Sequence, residues 1–101
     1  MTKKLIFSPR VAVELREIGE YIAKDDLQAA LSFVDRLKKR CQDAADYPSI
    51  GRRRTELQAG LRSLTEGDYV IFYRSTDEGI EITKIIHGKR NIAKLFKRQK
   101  L

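Results

Sequence analysis

Apolar residues recur along this chain in two rhythms, and the switch between them outlines the fold. Leu5-Ile6-Phe7 is a short apolar run that predicts a strand. Ser8-Pro9 ends it and opens a helix, with Ser8 as N-cap and Pro9 in the first helical position, where its missing N–H costs nothing. Val11, Leu15, Ile18 and Ile22 then follow at spacings of four and three, one face of a helix, while Glu14, Arg16, Glu17 and Glu20 take other faces. Asp25-Asp26 interrupts the pattern and can cap what comes next. A longer helix is predicted from about Leu27 to Tyr47, with Ala30, Phe33, Val34, Leu37, Cys41, Ala44 and Ala45 on its apolar face and Lys38, Lys39, Arg40, Gln42 and Asp43 toward solvent. Tyr47-Pro48 stops it, because a residue before proline avoids the α region. The short connection between the two helices implies an αα-hairpin.

The rhythm then changes. Ser49 to Gly60, including Arg52-Arg53-Arg54, reads as a loop. Three strands follow in quick succession: Leu61–Thr65, then Tyr69–Arg74 after Glu66-Gly67-Asp68, then Ile80–His87 after Thr76-Asp77-Glu78-Gly79. Turns this short join only antiparallel neighbours. The run Tyr-Val-Ile-Phe-Tyr at 69–73 is apolar almost without alternation, as in a central strand, and Ile80, Ile82 and Ile86 are expected on one face of the last. Gly88 ends that strand, and Asn91–Arg98 predicts a terminal helix with Ile92, Leu95 and Phe96 as its apolar stripe. The class is α+β, in the order β-α-α-β-β-β(-α), with an αα-hairpin across one face of a mostly antiparallel sheet. With 101 residues and no repeat or linker, residues 1–101 read as one domain.

Composition narrows the function. One cysteine (Cys41) and one histidine (His87) exclude an intrachain disulfide and argue against a Cys/His metal centre, and no cofactor is expected. No apolar run has the length of a membrane span and the N-terminus does not read as a signal peptide, so the expectation is a cytoplasmic chain with no membrane partner. The formal net charge is +7, and its location matters. Residues 1–81 carry 14 basic and 14 acidic side chains, whereas Ile82–Leu101 carries seven cations (Lys84, Lys89, Arg90, Lys94, Lys97, Arg98 and Lys100) and no acid. Such asymmetry points to an anionic partner, a nucleic acid or an acidic protein surface, although Lys97, Arg98 and Lys100 fit a solvated end as well.

Four stretches, in order, carry a family resemblance: Ser8-Pro9-Arg10 opening a helix that ends Tyr21-Ile22-Ala23; Tyr47-Pro48-Ser49-Ile50-Gly51-Arg52; Gly60-Leu61-Arg62-Ser63 leading to Tyr69-Val70-Ile71-Phe72-Tyr73-Arg74; and Ile82 through Ile85-Ile86-His87-Gly88-Lys89-Arg90. Together they resemble the ParE branch of the ParE/RelE toxin superfamily. The resemblance implies the toxin of a type II toxin–antitoxin pair, a ParD-like antitoxin as partner and DNA gyrase as target. The family's His-Gly-x-Arg is often followed by Asp, where this chain has Asn91. RelE-like members of the same fold cleave mRNA on the ribosome, and a simple nucleic-acid-binding module is a third possibility.

Candidate residues follow. For target binding they are Arg62, Tyr73, Arg74, Lys84, His87, Lys89 and Arg90. For antitoxin binding they are Tyr21, Leu27, Leu31 and Phe33, as the apolar excess that one sheet face does not cover. A metal-free ribonuclease would use His87 as acid or base and Arg62, Arg74 and Arg90 on phosphate. Each has a plainer reading: His87 capping a strand end, Arg62 and Arg74 pairing with Glu66, Asp68, Asp77 or Glu81 across the sheet, and the aromatics of 69–73 packing as core.

Overall fold

The computed structural model describes residues 4–90 and 92–97; of the terminal cations, Arg98 and Lys100, like Asn91, lie outside the described residues. The elements are β1 (Lys4–Phe7), α1 (Pro9–Ala23), α2 (Leu27–Asp46), β2 (Arg52–Arg53), β3 (Leu61–Glu66), β4 (Tyr69–Ser75), β5 (Gly79–His87) and α3 (Ile92–Lys97). They form one five-stranded sheet in the order β1-β5-β4-β3-β2, antiparallel throughout except for β1 beside β5.

The helix ends obey their signals. The Ser8 hydroxyl accepts from Val11 N at 3.3 Å, and the Asp26 carboxylate accepts from Ala29 N at 3.1 Å, each satisfying an amide the helix leaves bare. Tyr47, ahead of Pro48, leaves the helical region at φ −134°, ψ 79° and closes α2. Gly67 opens the two-residue turn from β3 to β4 at φ +57°, a conformation that a side chain disfavours.

Two features depart from the sequence expectation. Within the expected 49–60 loop, Arg52 and Arg53 form an edge strand opposite Ser63 and Arg62. Arg54 N also donates to Leu61 O at 2.8 Å, which extends the attachment. Second, the β4–β5 register slips: Phe72 faces Lys84 but Tyr73 faces Ile82, leaving Thr83 without an opposite number. Its hydroxyl donates to Phe72 O at 3.3 Å instead. A one-residue insertion turns every later side chain to the other face. Ile80, Ile82 and Ile85 therefore share the helix-side core, and Ile86 joins the opposite one.

The sheet is buried on both faces. On one, α1 and α2 bring Val11, Leu15, Ile18, Leu37 and Cys41 onto Leu64, Ile71, Tyr73 and the three isoleucines. On the other, Leu57 and α3's Phe96 cover Leu61, Phe72 and Ile86. Double burial explains the nearly unbroken apolar run of β4. Burial also pushes the Cys41 thiol up to about 12. Since the thiolate is the reactive form, Cys41 in the native chain is expected to resist an aromatic disulfide reagent at pH 8. Its labelling rate should track global unfolding as urea is added; fast labelling of the native chain would contradict this core.

Candidate functional site

The basic segment begins where β5 ends. His87 lies opposite Tyr69, with its ring edge-on at 5.1 Å and 74°. Its Nδ1 accepts from Lys89 N at 3.1 Å, so the neutral ring carries its proton on Nε2. Gly88 N donates to Asp68 O at 2.7 Å and Arg90 N to His87 O at 3.1 Å, which fixes the turn. His87 thus caps a strand end through the backbone. The same bonds present the exposed Lys89 and Arg90 side chains, neither in an ion pair among the described residues, from a hydrogen-bonded turn.

Beside this turn runs a cleft of about 580 Å³ between α1 and the end of β5. Arg10, Val13, Glu14, Glu17 and Tyr21 line it from the helix, and Ile85, Ile86, His87 and Arg90 from the strand and turn. β1 pairs with β5 only as far as Phe7 opposite Ile82. Beyond it, Ser8 N donates to Ile82 O at 3.1 Å and the Glu14 carboxylate accepts from Ile85 N at 3.1 Å, so a side chain stands where a neighbouring strand's carbonyl would be. Burial raises the Glu14 pKa above 4.5, opposed by the Ile85 bond and the charges of Arg10, Lys84 and Arg90.

The sign of the resulting pH dependence is fixed. A carboxyl whose folded-state pKa is raised contributes stability below the ordinary carboxyl range and loses it as pH rises through the raised value. Glu14→Gln keeps the acceptor oxygen and removes the titration. Urea unfolding from about pH 4 to 7 should show the variant gaining on the parent chain as pH rises; a constant difference would contradict the buried setting of Glu14.

The other sequence-chosen residues are redistributed. Tyr73 is fully buried: its hydroxyl accepts from Gly51 N and donates to Pro48 O, both at 2.8 Å, and burial raises its pKa, so it is a structural pin and not a binding surface. Lys84, expected on the binding surface, is only 8 % exposed, with its ammonium 5.6 Å above the Phe96 ring. Burial lowers its pKa and Glu14 opposes that. Arg74 pairs with Glu81 at 2.9 Å, one of its plainer readings. Arg62 instead donates to Gly51 O at 2.7 Å and to Ser49 O at 3.4 Å, tying β3 to the loop after α2.

The ribonuclease quartet is not brought together. Arg62 pairs in register with Tyr73 and Arg74 with Leu61, adjacent positions on opposite faces of the sheet. His87 faces Tyr69, four residues along β4 from Tyr73, a separation of roughly 13 Å. Only His87 and Arg90 share a site, the cleft.

The apolar excess on the hairpin is present. Tyr21, Leu27 and Leu31 are 70 %, 61 % and 55 % exposed, around the hairpin bend. Phe33 is half-buried, its ring tilted against that of Tyr69 at 5.6 Å, with the Arg36 guanidinium 5.2 Å from its ring. Sequence reasoning missed Arg10, Val13, Glu14 and Glu17 as a wall of the cleft. Their only signal is a shared helical flank, and the helix pattern does not say what that flank faces. Among the described residues no group of His, Cys, Asp and Glu is placed to hold a metal, and no helix is long and apolar enough to cross a membrane.

An αα-hairpin on a small sheet with β1 parallel to the last strand places the chain among RelE/ParE-like folds. A solved chain described as the chromosomal ParDE TA system from P. aeruginosa superposes with a TM-score of 0.73 at 20 % identity, over 85 % of this chain and 96 % of that one. The family model described as ParE toxin of type II toxin-antitoxin system, parDE, matches residues 5–92, and the chain belongs to that family. Among similar curated proteins, Toxin ParE1 of Mycobacterium tuberculosis (strain H37Rv) is 29 % identical over 94 residues, covering 91 % of this chain and 96 % of its own length. The putative toxin Y4kP of Sinorhizobium fredii is 33 % identical over 86 residues, covering 85 % and 88 %. Toxin ParE3 of Caulobacter vibrioides is 27 % identical over 78 residues, covering 77 % and 78 %.

Proposed function

We propose that this ParE-family toxin acts in the cytoplasm by inhibiting DNA gyrase through the basic turn after β5, and that a ParD-like antitoxin laid over the helical hairpin neutralises it. The observation that carries the target assignment is the His87-fixed turn, which holds Lys89 and Arg90 exposed and, among the described residues, without ion pairs, in a segment that has no acid. Charge held on a hydrogen-bonded turn is suited to an acidic protein surface, because little backbone freedom is lost on docking. The exposed Tyr21, Leu27 and Leu31 supply the apolar patch for the antitoxin. The dispersed ribonuclease quartet favours this reading over RelE-type mRNA cleavage.

Expression of the chain without an antitoxin tests it. The expected result is growth arrest with filamentation and a DNA-damage response, and purified protein that traps gyrase on DNA. Lys89→Glu with Arg90→Glu should weaken trapping by about tenfold or more, while the fold, read by circular dichroism, is unchanged. Rapid message cleavage on the ribosome, abolished by His87→Ala, would replace gyrase with mRNA as the target. A harmless chain with salt-sensitive nucleic-acid binding would favour the plain binding module.

A further inference from the structure

The sheet ends on its far side in β2, and the basic run Arg52-Arg53-Arg54 stands there. Two sheet residues tie the approach to it from beneath. The Tyr73 hydroxyl joins Pro48 O and Gly51 N, and Arg62 donates to Gly51 O and Ser49 O. The side chains beside this tied backbone stay outside: Tyr47 is 70 % exposed, and Arg52 and Arg53 are exposed as well. Successive residues of a strand point to opposite faces, so Arg52 and Arg53 lean to either side of the edge. Arg54 N donates to Leu61 O, so by strand alternation Arg52 also turns its amide toward β3 and Arg53 turns its N–H outward. Neither Arg52 nor Arg53 is in an ion pair among the described residues. The acids nearest in sequence are engaged: Asp46 accepts from Gln42 at 3.0 Å and Glu56 from Arg54 at 2.8 Å. That Arg54 bond lowers the Glu56 pKa, with a smaller contribution from the Arg52 charge. Arg53 stands opposite Arg62, a like-charge pairing that costs a sheet stability and that a bound anion relieves.

We propose that the β2 edge is a second contact surface of the toxin, which binds the phosphate backbone of duplex DNA without regard to sequence. Arginine side chains, tyrosine hydroxyls and main-chain N–H groups are donors that meet phosphate oxygens, and Arg52, Arg53, Tyr47 and the Arg53 amide supply all three kinds. A surface of donors whose nearest acids are already bonded suits a partner made of repeated acceptors. An edge two residues long gives an acidic peptide no main-chain ladder to extend, which favours a polyanion over an added protein strand. β2 lies three strands from β5 in the sheet order, roughly 14 Å, so this edge and the turn after β5 can be occupied together. The choice of DNA over RNA rests on the gyrase reading above, since gyrase works on DNA; the contact with a phosphate backbone does not.

The test is fluorescence anisotropy of a mixed-sequence duplex of about 20 base pairs, titrated with the purified chain at rising salt. Arg52→Gln with Arg53→Gln should lower the affinity by about tenfold or more and flatten the log–log salt slope by about two. Lys89→Gln with Arg90→Gln removes the same charge from the other surface and should cost clearly less. Circular dichroism of both variants checks the fold. On adding duplex to the isotope-labelled chain, NMR shifts are expected at Tyr47 and Arg52–Arg54. Equal losses from the two pairs would reduce the binding to attraction by net charge and overturn the assignment. Displacement of the duplex by polyglutamate at equal charge concentration would make the partner an acidic protein surface, and tighter binding of an RNA duplex would overturn the choice of DNA. Capture of gyrase in the absence of DNA separates the two readings, because the Arg52/Arg53 variant should still bind it and the Lys89/Arg90 variant should bind it more weakly. A chain that binds gyrase while the β2 edge stays silent to DNA would overturn this inference and leave the gyrase reading standing.

Discussion

Phe72→Ala is expected to lower the folding free energy by about 3–5 kcal/mol, the cost of emptying a fully enclosed aromatic site. Phe72 is wholly buried and is the centre of the second core, the one without the helical hairpin. Phe96 meets its ring edge-on at 4.9 Å, and the Arg54 guanidinium lies 5.5 Å from its centroid. The six-residue α3 is too short to hold its shape alone and depends on that contact. The loss therefore has a local signature besides the global one. Amide exchange of Ile92–Leu95 should accelerate more than that of α2, whose Leu37 and Cys41 lie in the other core. Against a total stability of about 5–15 kcal/mol for a domain, the variant is marginal, so urea unfolding at low temperature is the practical measurement. A loss under about 1 kcal/mol would mean that this face is not packed.

The second large effect lies at the end of α2. Tyr73→Phe removes one hydroxyl and leaves two backbone groups, Pro48 O and Gly51 N, without their partner in a largely enclosed site. At about 1–3 kcal/mol for each buried group left unpaired, a loss of roughly 2–4 kcal/mol is expected. Gly51→Ala attacks the same joint from the other side. A Cβ there would overlap the Tyr73 hydroxyl and stand 2.7 and 2.9 Å from two ring carbons, and the loop would shift away, at about 1–3 kcal/mol. Because both changes break one contact, the double variant should fall short of the sum by more than about 0.5 kcal/mol. Additive losses in the double-mutant cycle would deny the shared contact. Arg62 leans on Gly51 O, so both variants should also free its guanidinium.

Much of the fold was legible because its signals are local. Ser8-Pro9, Asp26 and Tyr47-Pro48 act within a few residues and do so whatever surrounds them. Helical spacing placed Leu37 and Cys41 inside, and the apolar run of β4 announced a central strand, although its burial on both faces came from the structure. His87 was legible in its plainer role, as the cap of a strand end.

What the sequence did not reveal depends on groups brought together from far along the chain. Arg52 and Arg53 are not among the residues that favour strands, and they pair where β3 offers them an edge. The single extra residue at Thr83 sends Ile86 to the second core, and an alternating pattern cannot announce where it will slip. Lys84 was counted with the surface cations, yet α3 folds Phe96 beneath it. Tyr73 looked like a candidate contact until 25 residues of chain returned Pro48 to its hydroxyl. The sequence alone carried the family resemblance, every element but the short edge strand β2, and a cationic end, since caps, periodicity and charge are written residue by residue. Tertiary structure decided which cations are free, because that depends on the company each one keeps. It also placed Glu14, 71 residues from Ile85, on the bare edge of β5, making that edge and its cleft a site.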